Sequence, residues 1–340
     1  MPNRFLPVLL CASMFALSAC FGGGSSGGGG GGNGADNGGD SPDNGDSPEP
    51  DGGDGAVAEG LELDGPYDGE TDWAFISSAD GEHVLAADMA FLVREMEVPH
   101  LTVMREFLEG NLQHSDVVAG GCGGTFTTDI TSDGNVTESA GSGTFADFCI
   151  PDPGLSGAAI DPYVLVSGSA TWDDVSVGVS GTSGTVRMED VVVAWRGEEF
   201  TLNSLQENKG ANRFYAMDVT LNDTTYRFYQ DFIPDTGDGD GAVFWLGLHP
   251  EFGKFRIDQD LLAGDEIFSY GSAGEYPDCL GPVTGAQTMS EPENSASFQF
   301  RATGDCRTFE LEGADSAGES IDSDDHEWLD ALIESSADSD

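Results

Sequence analysis

The sequence predicts a mainly β protein: an antiparallel sandwich, meander or barrel-like domain, preceded by a short helical segment and stapled by disulfides. Three observations predict it. From Cys122 onward apolar residues recur with a period of two. Gly-rich and Asn-Asp breaks divide that region into about ten to thirteen strand-length runs, the spacing of antiparallel sandwiches and barrels. Four cysteines beyond the N-terminal leader sit at matched intervals.

The leader comes first in chain order. Arg4 gives a short positive start, and Phe5 to Leu17 is a 13-residue apolar stretch. That is too short to cross a bilayer and suits the apolar core of a signal peptide. Leu17-Ser18-Ala19-Cys20 follows, then Phe21 and a run of glycine. These residues resemble the lipobox of bacterial lipoproteins. The resemblance implies cleavage after residue 19 and acylation of Cys20, with the lipid bilayer as a partner through its acyl chains. Several chains, at about 0.8 kcal/mol per buried CH₂, make a lasting anchor. In that family an Asp after the Cys tends to retain the protein in the inner membrane, so Phe21 implies the outer membrane, facing either the periplasm or the surface.

Residues 20–60 read as a lipidated Cys and a disordered tether. Residues 21–60 hold 17 Gly, 8 acidic and no basic residues. Such a stretch buries too little apolar surface to fold. A 40-residue Gly-rich coil has an end-to-end distance of roughly 35 Å, and its carboxylates extend it further.

Residues 61–115 read as a helical segment and residues 116–313 as the β-rich domain. Leu85, Met89, Leu92 and Met96 share one helical face, as do Leu101, Met104, Leu108 and Leu112. Pro99 is expected to separate the two helices. Tyr226, Phe228 and Phe232 alternate, as do Phe298 and Phe300, and Tyr215, Met217, Val219 and Leu221. Val191–Trp195 and Ala242–Leu248 are continuous apolar runs of strand length. Residues 314–340 read as an acidic C-terminal tail. Its Trp328, Leu329, Leu332 and Ile333 form one apolar helical face, expected to dock on the body.

Cys11 leaves with the leader. Cys122, Cys149, Cys279 and Cys306 remain, an even number in an exported chain, which implies disulfides. Four thiols allow three pairings. Both sequential pairs are 27 residues apart, which favours Cys122–Cys149 and Cys279–Cys306. Around the first pair stand Gly121-Cys122-Gly-Gly-Thr125-Phe126, Gly141-Ser-Gly-Thr-Phe145-Ala-Asp-Phe148-Cys149 and Val166-Ser-Gly168-Ser-Ala-Thr-Trp172. This set resembles uncharacterised proteobacterial lipoproteins whose Cys-Gly-Gly and Phe-x-x-x-Cys strands form a β-meander. The resemblance implies fold and address and brings no activity.

Charge excludes one class of function. With 12 basic against 62 acidic residues the formal net charge is −50, so nucleic acid is excluded as a partner. Residues 61–313 carry 44 of the acidic groups, so the charge is spread over the body. Lys is reduced to Lys209 and Lys254, and 38 Asp exceed 24 Glu. That balance resembles proteins adapted to high salt, where counter-ions screen self-repulsion.

No hydrolase elbow, zinc-protease helix or phosphate loop occurs; Gly178-Val-Ser180-Gly-Thr fails the elbow pattern at its last position. His249 and Glu251 could share a cleft, although a surface-loop His is the commoner case. Asp235, Asp238 and Asp240 crowd one turn and form a weak Ca²⁺ candidate, lacking the ligand spacing of an EF-hand. No other cofactor is indicated. The expected function is therefore a membrane-anchored, non-enzymatic binding or structural module that meets an envelope protein or polysaccharide. The alternatives are an exported hydrolase, with glycans as one candidate substrate class, and a Ca²⁺-responsive adhesion module.

The salt reading has a direct test. The melting temperature of the mature chain is expected to rise steadily from 0.1 to 2 M KCl as the body charges are screened. A flat profile would instead mark the acid as a local, functional face.

Overall fold

The structure, a computed structural model, describes residue 63 and residues 67–108, 117–131, 138–151, 162–178, 181–210, 212–233, 242–258, 285–305 and 307–337. Every described residue lies in one compact unit, residues 57–340. It opens with the helix α1 (Glu82–Leu108). Fifteen strands follow: β1 (Val117–Ala119), β2 (Thr125–Ile130), β3 (Glu138–Ala146), β4 (Phe148–Ile150), β5 (Tyr163–Gly178), β6 (Gly181–Trp195), β7 (Glu198–Gly210), β8 (Asn212–Leu221), β9 (Thr224–Ile233), β10 (Ala242–His249), β11 (Gly253–Asp258), β12 (Ala286–Glu291), β13 (Ala296–Ala302), β14 (Thr308–Ala314) and β15 (Ser320–Glu327). A short helix α2 (Asp330–Ala337) closes the order.

All strands belong to one antiparallel sheet whose spatial order follows the chain, with β4 pairing β5 off the main path. Of the expected β architectures the meander is therefore the one formed. The predicted alternation sets its two faces. Tyr215, Met217, Val219 and Leu221 of β8, Tyr226 and Phe228 of β9, and Phe298 and Phe300 of β13 all point to one buried side. Asn222-Asp223 and Arg196-Gly197 carry positive φ at both positions, the tight-turn geometry that matches strand twist. Gly143 of β3 is buried under the Phe126 ring, which a Cβ there would meet at 2.4 Å.

The sheet does not close on itself among the described residues, since β1 and β15 lie at opposite ends of the order. It wraps around α1 instead. Ala86, Ala87, Met89, Ala90, Phe91, Leu92, Val93 and Met96 are fully buried, so over residues 86–93 the helix is covered on every side and not along one stripe. Phe91 lies 6.2 Å from Trp195 and 4.6 Å from Trp328; Trp195 stacks on Tyr163 at 5.3 Å, and Trp328 packs on Phe309 at 4.8 Å. One aromatic column thus crosses the interior from β5 and β6 to β14.

Three expectations about the elements are corrected. Pro99 does not divide the helical segment; α1 runs through it as one helix. A proline removes one backbone bond, and the packing around the preceding turns holds the helix. The tail boundary at 313 is not a structural one, because β15 pairs with β14 from Ala314↔Ser320 to Thr308↔Glu327. The strand count exceeds the expected range because the three-residue strands β1 and β4 and the acidic β15 carry little apolar alternation. Cys122 and Cys149 are disulfide-bonded with Cα atoms 5.2 Å apart. Cys279 and Cys306 lie outside the described residues.

Phe91→Ala removes the middle of the aromatic column. It is expected to cost about 3–5 kcal/mol of unfolding free energy in urea titration. A cost under about 1 kcal/mol would show that the column is not what joins the sheet to the helix.

Candidate functional site

Most distinctive is a strap on the outer face of β9–β11. Inner and outer residues alternate strictly there: Tyr226, Phe228 and Trp245 point inward, while Arg227, Tyr229, Leu246 and Leu248 point outward. Tyr67 and Trp73 pack over Leu246, Leu248 and Tyr229, and Leu63 packs with Leu205 and Ala216. This explains why Ala242–Leu248 is apolar without alternation: both faces of β10 are covered.

Backbone bonds seat the strap on the β10–β11 turn and on the start of β11. The Glu70 amide donates to the Pro250 carbonyl, Lys254 to Asp72, and Ala74 to Lys254, each at 2.9 Å. The Tyr67 hydroxyl donates to the Leu248 carbonyl at 2.9 Å. Gly253 is required beneath it: its φ is 98°, and a Cβ would meet the Asp72 carbonyl oxygen at 2.4 Å. Two cations lie on the strap aromatics, Lys254 Nζ 4.6 Å from the Trp73 ring centre and the Arg227 guanidinium 5.2 Å from that of Tyr67. Arg227 also grips Asp218 with Nε–Oδ1 2.6 Å and Nη2–Oδ2 2.7 Å, a bidentate pair across β8 and β9.

Beyond the seat the chain turns inward. Ala74 and Ile76 are buried, whereas Phe75 between them is 55% exposed. The Ile76 amide donates to Ser316 Oγ and the Ser316 amide to the Ile76 carbonyl, both at 2.9 Å. Ser78 gives Asp315 Oδ2 its amide at 2.9 Å and its hydroxyl at 2.7 Å. Asp315 Oδ1 accepts the amides of Ala317 and Glu319. The Ser78 hydroxyl and amide, with those two amides, hold its pKa down to about 2.

Inside, a polar group clusters where α1 meets α2. Asp88 is wholly buried and accepts three amides from the start of α2: Leu329 at 2.8 Å, Ala331 at 3.1 Å and Leu332 at 3.4 Å. Burial pushes its pKa up to about 8, against the pull of those donors. Tyr226 of β9 faces Ser335 of α2, with its pKa pushed up to about 12 mainly by burial. His249 closes the group, its ring centre 5.5 Å from that of Tyr226. Tyr163 of β5 donates to Glu95 of α1 nearby in the core.

The residues singled out in the sequence fare differently. His249 is not a surface-loop residue; it is 3% exposed, lies flat on Phe252, and accepts the Glu251 amide on Nδ1 at 3.2 Å. Trp328, Leu329 and Leu332 are buried, so the tail docks on the body, but the four apolar residues do not share one helical face: Trp328 and Leu329 lie in the turn before α2, Leu329 with φ 69°. Cys20, Asp235, Asp238 and Asp240 lie outside the described residues. Among the described residues no group of three or more His, Cys, Asp or Glu is placed to hold a metal ion, and no helix is long and apolar enough to cross a membrane. Composition and spacing gave no sign of the strap. For Asp88 one signal existed: a carboxylate inside the run Ala86–Val93.

Asp88 gives a pH prediction with a definite sign. A carboxyl whose pKa is raised on folding stabilises most below its ordinary value near 3.8 and loses that contribution as pH climbs through about 8. Asp88→Asn is expected to flatten the fall in unfolding free energy between pH 4 and 8. Asp88→Ala leaves buried amides without an acceptor, and is expected to cost roughly 3 kcal/mol or more at about 1–3 kcal/mol per amide. An unchanged pH profile in Asp88→Asn would remove Asp88 from the explanation.

Compared with protein-family models, with curated proteins and with solved structures, the chain finds no match in any of the three.

Proposed function

We propose that this protein is a lipid-anchored envelope lipoprotein, held by acylated Cys20, whose folded body is a non-enzymatic binding or structural module at the outer membrane. One observation carries the reading: the concave side of the sheet is filled by α1, whose residues 86–93 are fully buried. A curved sheet that takes a small ligand leaves its interior open. Here the interior is core, so recognition falls to outer faces, edges and turns. The leader, with Leu17-Ser18-Ala19-Cys20, and the Gly-rich, acidic tether of residues 21–60 support the anchoring. A long tether suits a module that must reach an envelope protein or polysaccharide.

Metabolic labelling with an alkyne fatty acid tests the anchor. The wild-type chain is expected to carry label and to sediment with membranes; Cys20→Ala is expected to lose the label and become soluble. An unlabelled, soluble wild-type chain would end the anchoring reading. Crosslinking in cells at high salt tests the module, with one envelope component expected to be recovered reproducibly. Turnover of a glycan substrate by the purified body would replace it with an enzyme.

A further inference from the structure

The strap is held at two places of different chemistry. Its inner pin is Ile76–Ser316 together with Ser78–Asp315, built on a carboxylate held near pH 2. Its outer seat spans the turn that follows His249 and the strand ends beside it: Tyr67 bonds the Leu248 carbonyl of β10, Glu70 the Pro250 carbonyl in the turn, and Asp72 and Ala74 bond Lys254 at the start of β11. His249 fixes the shape of that turn. Its Nδ1 accepts the Glu251 amide at 3.2 Å, and its ring stacks on Phe252 at 4.1 Å with planes 7° apart.

This arrangement works only with a neutral ring. A protonated imidazole carries hydrogen on both nitrogens, so Nδ1 can no longer accept the Glu251 amide, and two donors would face each other. The groups around the ring are Tyr226 of β9 and, in its own turn, Glu251 and Phe252. Asp88 of α1 and Ser335 of α2 lie beyond, against Tyr226. Glu251 is exposed, so a charged ring meets its carboxylate by leaving the stack and turning outward.

We propose that His249 is an acid-operated latch for the strap: protonation of its ring reshapes the β10–β11 turn and releases residues 67–74 from the outer face, while the inner pin at residues 76–78 holds and acts as the hinge. Release uncovers Leu246, Leu248 and Tyr229. Binding of the strap itself does not depend on Cys20.

The direction of the response follows from burial. Burial pushes the His249 pKa down from its ordinary 6.5 to about 4. A histidine whose pKa is lowered on folding contributes stability fully above about 6.5 and loses it as pH falls towards the folded value. The seat is therefore closed at pH 7 and opens as pH falls towards 4. Asp315 keeps its charge across that window, so the pin does not open with it.

Hydrogen exchange of the full mature chain in 2 M KCl, from pH 7.5 to 4.2 and corrected for the intrinsic rate, tests the latch. The amides of Glu70, Ala74 and Lys254 are expected to open at least tenfold more often at pH 4.2, with Ile76 and Ser78 unchanged. His249→Phe removes the titrating ring together with its Nδ1 acceptor, so protection of the seat in that variant is expected not to change with pH. Equal protection of the seat at both ends of the range would overturn the latch. So would opening of seat, pin and β8 together, which is global unfolding, or the same pH response in His249→Phe. If that variant does not fold, the wild-type His249 ring is followed by NMR. A midpoint at or above 6.5, or titration without a coupled change at Glu70, would overturn the proposal. Loss of fatty-acid labelling would leave this result standing, so failure of the anchor and failure of the latch are distinguishable.

Discussion

Phe91 is the contact on which the rest of the fold depends. Among the described residues the meander of fifteen strands does not close, and no backbone bonds join its first and last members. Something else must hold the two flanks on one core. The side chains do it, through Tyr163 and Trp195 on one flank, Phe91 on α1, and Trp328 and Phe309 on the other. Aromatic pairs of this kind add about 0.5–1.5 kcal/mol each beyond the area they bury. The helix therefore replaces the missing seam, and its buried surface replaces the ladder bonds a closed barrel would have made.

A helix buried on all sides imposes a second requirement. Any polar group it carries must find a partner inside, because water is excluded. Among its described side chains Asp88 and Glu95 are the buried carboxyls, and both are partnered across elements: Asp88 with the amides that open α2, Glu95 with Tyr163 of β5. The first amides of a helix have no acceptor within it. Asp88 supplies one from another element and so fixes where α2 begins. The position of the C-terminal helix is written into α1, more than 200 residues earlier in the chain. This is why α2 belongs to the core although its own eight residues are too few to form a stable helix alone.

Legibility in the sequence tracked the strength of each physical signal. Strands with inward Phe, Tyr and Trp on alternate positions were readable, because one face of the sheet is core and the other meets solvent. Tight turns at Asn222-Asp223 and the helix around Leu85–Met96 were readable for similar reasons. Three features were not. β15 is Ser320–Glu327, with Ile321 its sole large apolar residue, so pairing with β14 and not composition makes it a strand. All-round burial of α1 needs knowledge of what surrounds it; the run Ala86–Val93 is consistent with a helix face as well as with a core helix. The strap was hidden because Tyr67 and Trp73 sit among Gly, Asp and Glu, where local composition reads as loop. The disulfide pairing of Cys122 with Cys149 followed from spacing, since residues 27 apart accommodate two strands and a turn.

The strap also settles a contradiction within β10. An antiparallel strand with one solvent face should alternate, yet Phe244-Trp245-Leu246-Gly247-Leu248 does not. Burying both faces of one strand needs a second layer, and in a single sheet that layer must come from outside the meander. The residues that supply it are those leading into α1, so the cover is tied at one end to the most buried element of the molecule. At its other end it makes three backbone bonds, one to Pro250 in the β10–β11 turn and two to Lys254 of β11, each worth about 1 kcal/mol net. That is small beside the burial that holds α1 in place, where each large side chain contributes about 1.5–3 kcal/mol. The two attachments thus differ in strength, and the weaker one lies at the surface. A cover with this asymmetry separates from the sheet locally, without unfolding what lies beneath it. An apolar strand lined on its outer side by a detachable layer is a surface that the fold itself can hide or present.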